Sequence, residues 1–230
     1  MKRQGFYHYD PSNYHGPLHF YVLFIFEALF GRHVWALRLP IVLVSGATVF
    51  LVTMFERFWD RRRCQLAALA MAVSPGSVFY ARYGIHESWL ALFLILTLFG
   101  LAGLRRFGTR QYLWALGMGV TGMILTKETY VIHIACFALA GFCFWIYEKF
   151  SPSLEAPRAS KAWSNGDLAN VIGIGALLVV FFYSGTFLDF SSLRGLVTTF
   201  EQWVHTGTEG AGHDKPPWYW LMLMLRYEWP

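Results

Sequence analysis

Charged residues are scarce in this chain of 230 residues, where Asp, Glu, Lys and Arg together make up only 14%. Soluble domains carry about 25%. Hydrophobic residues account for 56% of the chain and aromatic residues for 19%, which excludes a soluble fold because such a fold could not hide so much apolar surface. The net charge of +5 does not indicate a nucleic-acid partner, since the basic residues are spread through short connections between long apolar runs.

Cysteine is also rare. Cys64, Cys136 and Cys143 show none of the spacings typical of metal ligands. We expect three buried free thiols that pack as small hydrophobic residues.

Long apolar runs dominate the sequence. Crossing the hydrocarbon core of a membrane takes roughly 20 residues, and six runs approach this length between charged boundaries. The predicted spans are 39–58, 65–80, 88–104, 112–126, 130–147 and 169–187. The earlier run 18–30 is shorter and carries Glu27, so we expect a helix along the membrane surface. The sequence therefore predicts an all-α, polytopic membrane protein.

One membrane domain accounts for the whole chain. It divides into an outer loop with a juxtamembrane helix (1–38), six transmembrane helices (39–187), a second outer loop (188–217) and the start of a further helix (218–230).

Arginine and lysine mark alternate connections between the predicted spans. The segments 57–63, 105–110 and 148–167 each hold three or more of them, which predicts a cytoplasmic location. The hairpins around Arg82 and Lys127 hold one basic residue each and are predicted to face the other side. We expect a multi-pass protein of the plasma membrane with its active face on the non-cytoplasmic side.

The unusual polar residues gather on that predicted outer side. Ionisable groups at membrane depth cost a few kcal/mol each on insertion scales, so they usually pair with one another or mark a functional site. The candidate substrate-binding residues are Asp10, His15, His19, Arg82, His86, Glu87, Lys127, Glu128, His213, Lys215 and Tyr219.

Arg82, Glu87 and Lys127 each allow two interpretations. The planar guanidinium of Arg82 suits a phosphate, and Glu87 suits a sugar hydroxyl or a cation, but the two could instead form an ion pair that closes their hairpin. Lys127 is a candidate phosphate ligand, or an ordinary loop lysine whose amine reaches the membrane interface.

His15 and His19 are four residues apart, which would suit a divalent metal if both were helical. Gly16 and Pro17 lie between them and favour a helix that begins only after His15. Contact with substrate and a purely structural role are the other interpretations.

The segment Gly117–Gly122 matches the dinucleotide-binding pattern G-x-G-x-x-G. It lies inside a predicted span with no strand before it, so the pattern predicts close helix packing through small residues.

An ordered series of short motifs lies at the ends of the predicted spans. The series comprises His15-Gly16-Pro17-Leu18, Arg38-Leu39-Pro40, Ser74-Pro75, Tyr80-Ala81-Arg82 with Glu87, and Thr126-Lys127-Glu128. It resembles the membrane glycosyltransferases of the C-type fold (glycosyltransferase family 39 type), which include protein O-mannosyltransferases and lipid A aminoarabinose transferases. The segments 9–11 and 213–216 are similar to a flippase-activity-associated subgroup from archaea and bacteria.

This resemblance implies a C-type helical bundle and the transfer of a sugar from a polyprenyl-phosphate donor. The implied partners are that lipid-linked sugar, membrane lipid and an acceptor protein or glycolipid, with a divalent metal as the one possible cofactor. A flippase-associated or transport accessory protein without catalysis, and an inactive truncated relative, are the competing functions. Family members carry an Asp-Glu pair after a first span, so the chain is expected to be a fragment lacking that span, with its catalytic residues unknown.

Overall fold

The computed structural model describes residues 7–10, 15–150, 160–208, 216 and 218–227. The described residues are helical almost throughout, and they contain two isolated β-bridges but no strand. The all-α prediction is therefore confirmed.

Ten α-helices follow one another along these residues. They are α1 (Leu18–Phe30), α2 (Val34–Thr53), α3 (Arg61–Val73), α4 (Pro75–Arg82), α5 (Glu87–Phe107), α6 (Arg110–Thr126), α7 (Tyr130–Phe150), α8 (Asn165–Tyr183), α9 (Gly195–Thr208) and α10 (Tyr219–Tyr227). Two short 3-10 helices, Met54–Arg57 and Phe190–Arg194, follow α2 and precede α9.

Several of these helices are long and apolar enough to cross a membrane. Among the described residues they number four: α2 with its 3-10 extension, α5, α7 and α8. The number rises to five if α3 and α4 form one span, which confirms a polytopic membrane protein. Helix α6 has 17 residues, slightly short of the roughly 20 that a span needs, so the predicted count of six stays a prediction.

Pro75 divides the predicted span 65–80 into two helices. The axes of α3 and α4 meet at 56°, and Pro75 is the first residue of α4. Proline suits a first helical turn because its missing N–H has no partner there, and it forces the preceding residue, Ser74, out of the helical region.

The juxtamembrane helix has the predicted bounds. Helix α1 begins after Pro17 and ends at Gly31, whose φ of 80° lies in the region that favours glycine. Helix α2 begins at Val34, five residues before the predicted start of the first span, because His33 supplies an extended residue at which the helix can start.

Glycines bring α5 and α6 into close contact. A Cβ atom on Gly100 would lie 2.4 Å from the backbone nitrogen of Leu116, and one on Gly119 would lie 2.4 Å from Oγ1 of Thr97. The dinucleotide-like pattern is thus a packing surface, as predicted. Of the three thiols, Cys64 is buried as expected, but Cys136 and Cys143 are exposed on α7 and that part of the prediction is wrong.

The α5–α6 contact predicts a marked difference between two glycine substitutions. Gly100→Ala should lower the stability of the protein by about 1–3 kcal/mol, because the added methyl group overlaps backbone atoms of α6. Gly46→Ala is the matched control, since the space beside Gly46 on α2 is open. Thermal unfolding of the detergent-solubilised protein measures both, and equal melting temperatures for the two variants would contradict the packing.

Candidate functional site

The chain before α1 is bound to the junction between α6 and α7. The backbone nitrogen of Gly16 donates to the carbonyl of Thr126 at 3.0 Å, and His15 forms an antiparallel bridge with Lys127. A Cβ atom on Gly16 would lie 2.2 Å from the carbonyl oxygen of Leu125. Only glycine allows this approach, which places His15 over the end of α6.

Lys127 and Glu87 form an ion pair across the α5–α6 contact. Nζ of Lys127 donates to Oε1 of Glu87 at 2.8 Å, and the lysine side chain is only 19% exposed. Glu87 therefore pairs with Lys127 rather than with Arg82, and the side chain of Lys127 is largely buried beside this carboxylate. The interpretation in which Arg82 and Glu87 close their hairpin as an ion pair is therefore wrong.

Three histidines pack against one another beside this ion pair. The ring of His86 lies 4.5 Å from the ring of His15 and 4.5 Å from that of His19, measured between centroids. Nδ1 of His19 accepts a hydrogen bond from Nε1 of Trp89 at 3.2 Å. His19 and His86 are buried. The segment that contains His15 and His19 and the hairpin that contains His86 therefore form one cluster.

Burial keeps His19 and His86 neutral near pH 7. It lowers the pKa of His86 to about 3, helped by the neighbouring His19, His15 and Lys127. Burial also lowers the pKa of His19, against the opposing effect of a hydrogen bond with the backbone of Gly84. Lys127 therefore brings a positive charge to this part of the site, whereas the imidazoles of His19 and His86 add polarity without charge.

Glu128 is buried beside the histidines. Its side chain is 3% exposed, and its Oε2 atom lies 3.5 Å from Nδ1 of His15. Within the described ranges, Nε2 of His86 and Oγ1 of Thr129 are buried without a hydrogen-bond partner. Such groups are rare in native proteins and often mark functional positions.

The described side chains do not bring together a set of metal ligands. No group of three His, Cys, Asp or Glu residues within the described part of the chain could hold a metal ion. His15 precedes α1 and His19 lies within it, so the two do not share a helical face.

A cavity of about 510 Å³ opens next to the ion pair, between α2, α3, α4 and α5. Its walls are mainly apolar, and Arg82 and Glu87 lie at one end of it together with Ser88. The lining from α2 and α3 includes Val42, Gly46, Val49, Met71 and Ala72. The sequence-predicted Arg82 and Glu87 thus meet at the polar end of an apolar cavity.

Arg38 lies close to the candidate site, although the sequence did not indicate it as a site residue. A second cavity, of about 520 Å³, contains both Arg38 and Arg82, and neither arginine forms an ion pair with a carboxylate in the described part of the chain. In the sequence, Arg38 belongs to the Arg-Leu-Pro motif. Its separation from Arg82 along the chain did not indicate that the two side chains line one cavity.

The other predicted residues are less well placed. His213 and Lys215 lie outside the described residues. Asp10 is exposed, next to Tyr9, whose hydroxyl group lies 2.6 Å from Oγ1 of Thr199. Tyr219 begins α10, and its role in the site stays a prediction.

Comparison with known proteins identifies one family. The sequence profile described as dolichyl-phosphate-mannose-protein mannosyltransferase matches residues 14–157. This region contains Arg38, Arg82, Lys127 and the three clustered histidines. No curated protein and no solved structure matches the chain.

The buried histidines predict a pH-dependent stability. Below about pH 6.5 the unfolded chain protonates His86, whereas the folded chain keeps it neutral to about pH 3. The unfolded state then binds more protons, so stability falls as the pH drops from 6.5 toward 3. His86→Gln should reduce this loss by up to about 1.4 kcal/mol per pH unit. His33→Gln, at an exposed position, is the control, and melting curves between pH 7 and pH 4 that are parallel for all three proteins would refute the effect.

Proposed function

The chain belongs to the dolichyl-phosphate-mannose-protein mannosyltransferase family, whose profile covers more than half of it, and we propose that it transfers a sugar from a polyprenyl-phosphate donor to a protein hydroxyl group on the non-cytoplasmic face. The family makes it a membrane glycosyltransferase of the mannosyltransferase type. Our proposal adds the polyprenyl-phosphate donor, the protein acceptor, the non-cytoplasmic face and the roles of the individual residues. A glycolipid hydroxyl is the alternative acceptor.

The main support for this proposal is the cavity of about 510 Å³. Its walls are mainly apolar, and the charged side chains of Arg82 and Glu87 lie at one end of it. A polyprenyl-phosphate sugar has the same division, with a long hydrocarbon chain attached to a charged phosphate. The apolar lining from α2 and α3 suits the hydrocarbon chain of the donor. This chain enters the cavity from lipid rather than from water, so its binding depends on close van der Waals contacts. Arg82 then lies at the position of the phosphate.

Two further cations are connected to Arg82 through the residues that line these cavities. Arg38 and Arg82 line one cavity, and Glu87, which lines the other with Arg82, holds Lys127 at 2.8 Å. In the proposed reaction the bond between the sugar C1 and the phosphate oxygen breaks, and the polyprenyl phosphate leaves with the electron pair. Fixed cations stabilise the negative charge that develops on this leaving group.

Glu87 keeps Lys127 in place for this role. Its carboxylate holds the ammonium group at 2.8 Å, and in the proposed complex a phosphate bound beside Glu87 shares this cation. The free lone pairs of Glu87 can also accept hydrogen bonds from sugar hydroxyls. We assign Glu87 to positioning, and we assign no residue of this chain as the base that takes the proton of the acceptor hydroxyl.

Glu128 and His15 are proposed to position the acceptor or the sugar. Their contact lies beside Lys127, and the neutral rings of His19 and His86 add no positive charge there. His213, Lys215 and Tyr219 are proposed to cover the site, as the family resemblance implies.

The phosphate role of the arginines predicts a loss of donor binding and turnover. In full-length protein supplied with polyprenyl-phosphate mannose and a Ser/Thr peptide, Arg82→Gln should lower kcat/KM for the donor by about two orders of magnitude. Arg38→Gln should act in the same direction. Arg106→Gln is the matched control, because it removes the same charge at the opposite end of α5, where Arg106 is exposed. Glycosylated peptide is measured by mass spectrometry, and an Arg106→Gln loss equal to that of Arg82→Gln would contradict the assignment.

The ion pair predicts a separation of stability from activity. Lys127→Ala and Glu87→Gln should each abolish most product formation while the protein still inserts and accumulates. In the double variant neither partner is left unpaired, so its melting temperature should recover toward wild type while turnover stays low. Recovery of both would reduce the pair to a structural contact. A wild-type protein that binds the donor without forming glycopeptide would instead favour the accessory function.

A further inference from the structure

A separate cavity lies between the end of α2 with its 3-10 extension, α3 and α5. Its volume is about 340 Å³. It is lined by Val52, Phe55, Trp59, Arg63, Cys64, Ala67, Ile95 and Leu98. Its walls are apolar apart from Arg63 and the Trp59 ring nitrogen, and it shares no residue with the two cavities at Arg82.

The charge at the mouth of this cavity is positive. Four arginines lie between positions 57 and 63. Arg61 pairs with Glu56 at 3.7 Å, and the carboxylate of Asp60 accepts a hydrogen bond from the backbone nitrogen of Arg63 at 3.2 Å. In the described part of the chain the guanidinium groups of Arg62 and Arg63 have no carboxylate partner. Arg63 therefore brings an uncompensated charge to the cavity.

Exposed apolar side chains surround the same end of α3. Leu66, Leu69 and Trp59 all project from the protein surface. In a protein that crosses the membrane, such side chains face hydrocarbon, and tryptophan is enriched at the level of the lipid headgroups. These exposed side chains favour a position of the cavity next to acyl chains, and the topology predicted from the arginines puts Arg63 at headgroup depth.

We propose that this cavity binds one anionic phospholipid of the surrounding leaflet, with an acyl chain between α3 and α5 and its phosphate on Arg63. An arginine forms two parallel hydrogen bonds with a phosphate, and basic pockets between transmembrane helices bind anionic headgroups. The neighbouring Arg62 adds attraction for a net negative lipid over a zwitterionic one. This site is independent of the donor cavity, whose charged end holds the carboxylate of Glu87.

Native mass spectrometry of the full-length protein tests this site. Phosphatidylglycerol or phosphatidylcholine is titrated into the detergent-solubilised protein, and the retained lipid is counted. We expect one phosphatidylglycerol per chain to bind tightly, and Arg63→Gln to weaken its binding by about tenfold. Arg62→Gln is the matched control, since it removes the same charge from the adjacent position but does not line the cavity, so its effect should be several times smaller.

A steric variant provides a second measurement that does not alter the charge. Ala67→Trp should fill the cavity and reduce phosphatidylglycerol retention as strongly as Arg63→Gln does. Equal losses in Arg62→Gln and Arg63→Gln would overturn the proposal in favour of general surface attraction. Equal retention of phosphatidylcholine, or displacement of the lipid by inorganic phosphate alone, would overturn it as well.

Discussion

The close packing of α5 against α6 is the constraint on which the site depends. Glycines on both helices let their backbones approach more closely than any larger residue would permit. Within a membrane, helices gain little from the hydrophobic effect, so such packing is a main source of association. Because the two helices are antiparallel neighbours, the first residue of α5 and the residue after α6 meet. The ion pair of Glu87 and Lys127 follows from this geometry.

Two other features build on that contact. The bend at Pro75 directs α4 away from the axis of α3 and places Arg82, at the end of α4, over the cavity. The backbone contact between Gly16 and Thr126 brings His15 and α1 onto the same end of the bundle. Burial then keeps the imidazoles of His19 and His86 neutral. The result is a site in which uncharged polar rings lie beside the ion pair of Glu87 and Lys127.

Patterns along the chain were sufficient to predict the helical class, the bounds of α1 and the packing role of the glycine segment. Charge placement also predicted that Glu87 and Lys127 would lie at one end of the bundle. The sequence could not show which cation pairs with Glu87, because Arg82 is nearer along the chain and only the packing of α5 on α6 favours Lys127. Arg38 was missed for the same reason, since its proximity to Arg82 arises from the bent pair. The exposure of Cys136 and Cys143 depends on how few neighbours α7 has, which its composition does not reveal.

Two cavities with different charged side chains in their linings lie along α2 and its 3-10 extension. Residues of α2 line the cavity at Arg82, and the end of α2 with its 3-10 extension lines the cavity at Arg63. Both cavities have mainly apolar walls, so selectivity between ligands must come from the charged side chains in their linings. Glu87 disfavours a simple anion beside Arg82 unless the ligand also engages the carboxylate through hydroxyl groups, as a glycosyl phosphate can. Arg63 has no such carboxylate across the cavity, and an anionic headgroup therefore meets no comparable opposition there.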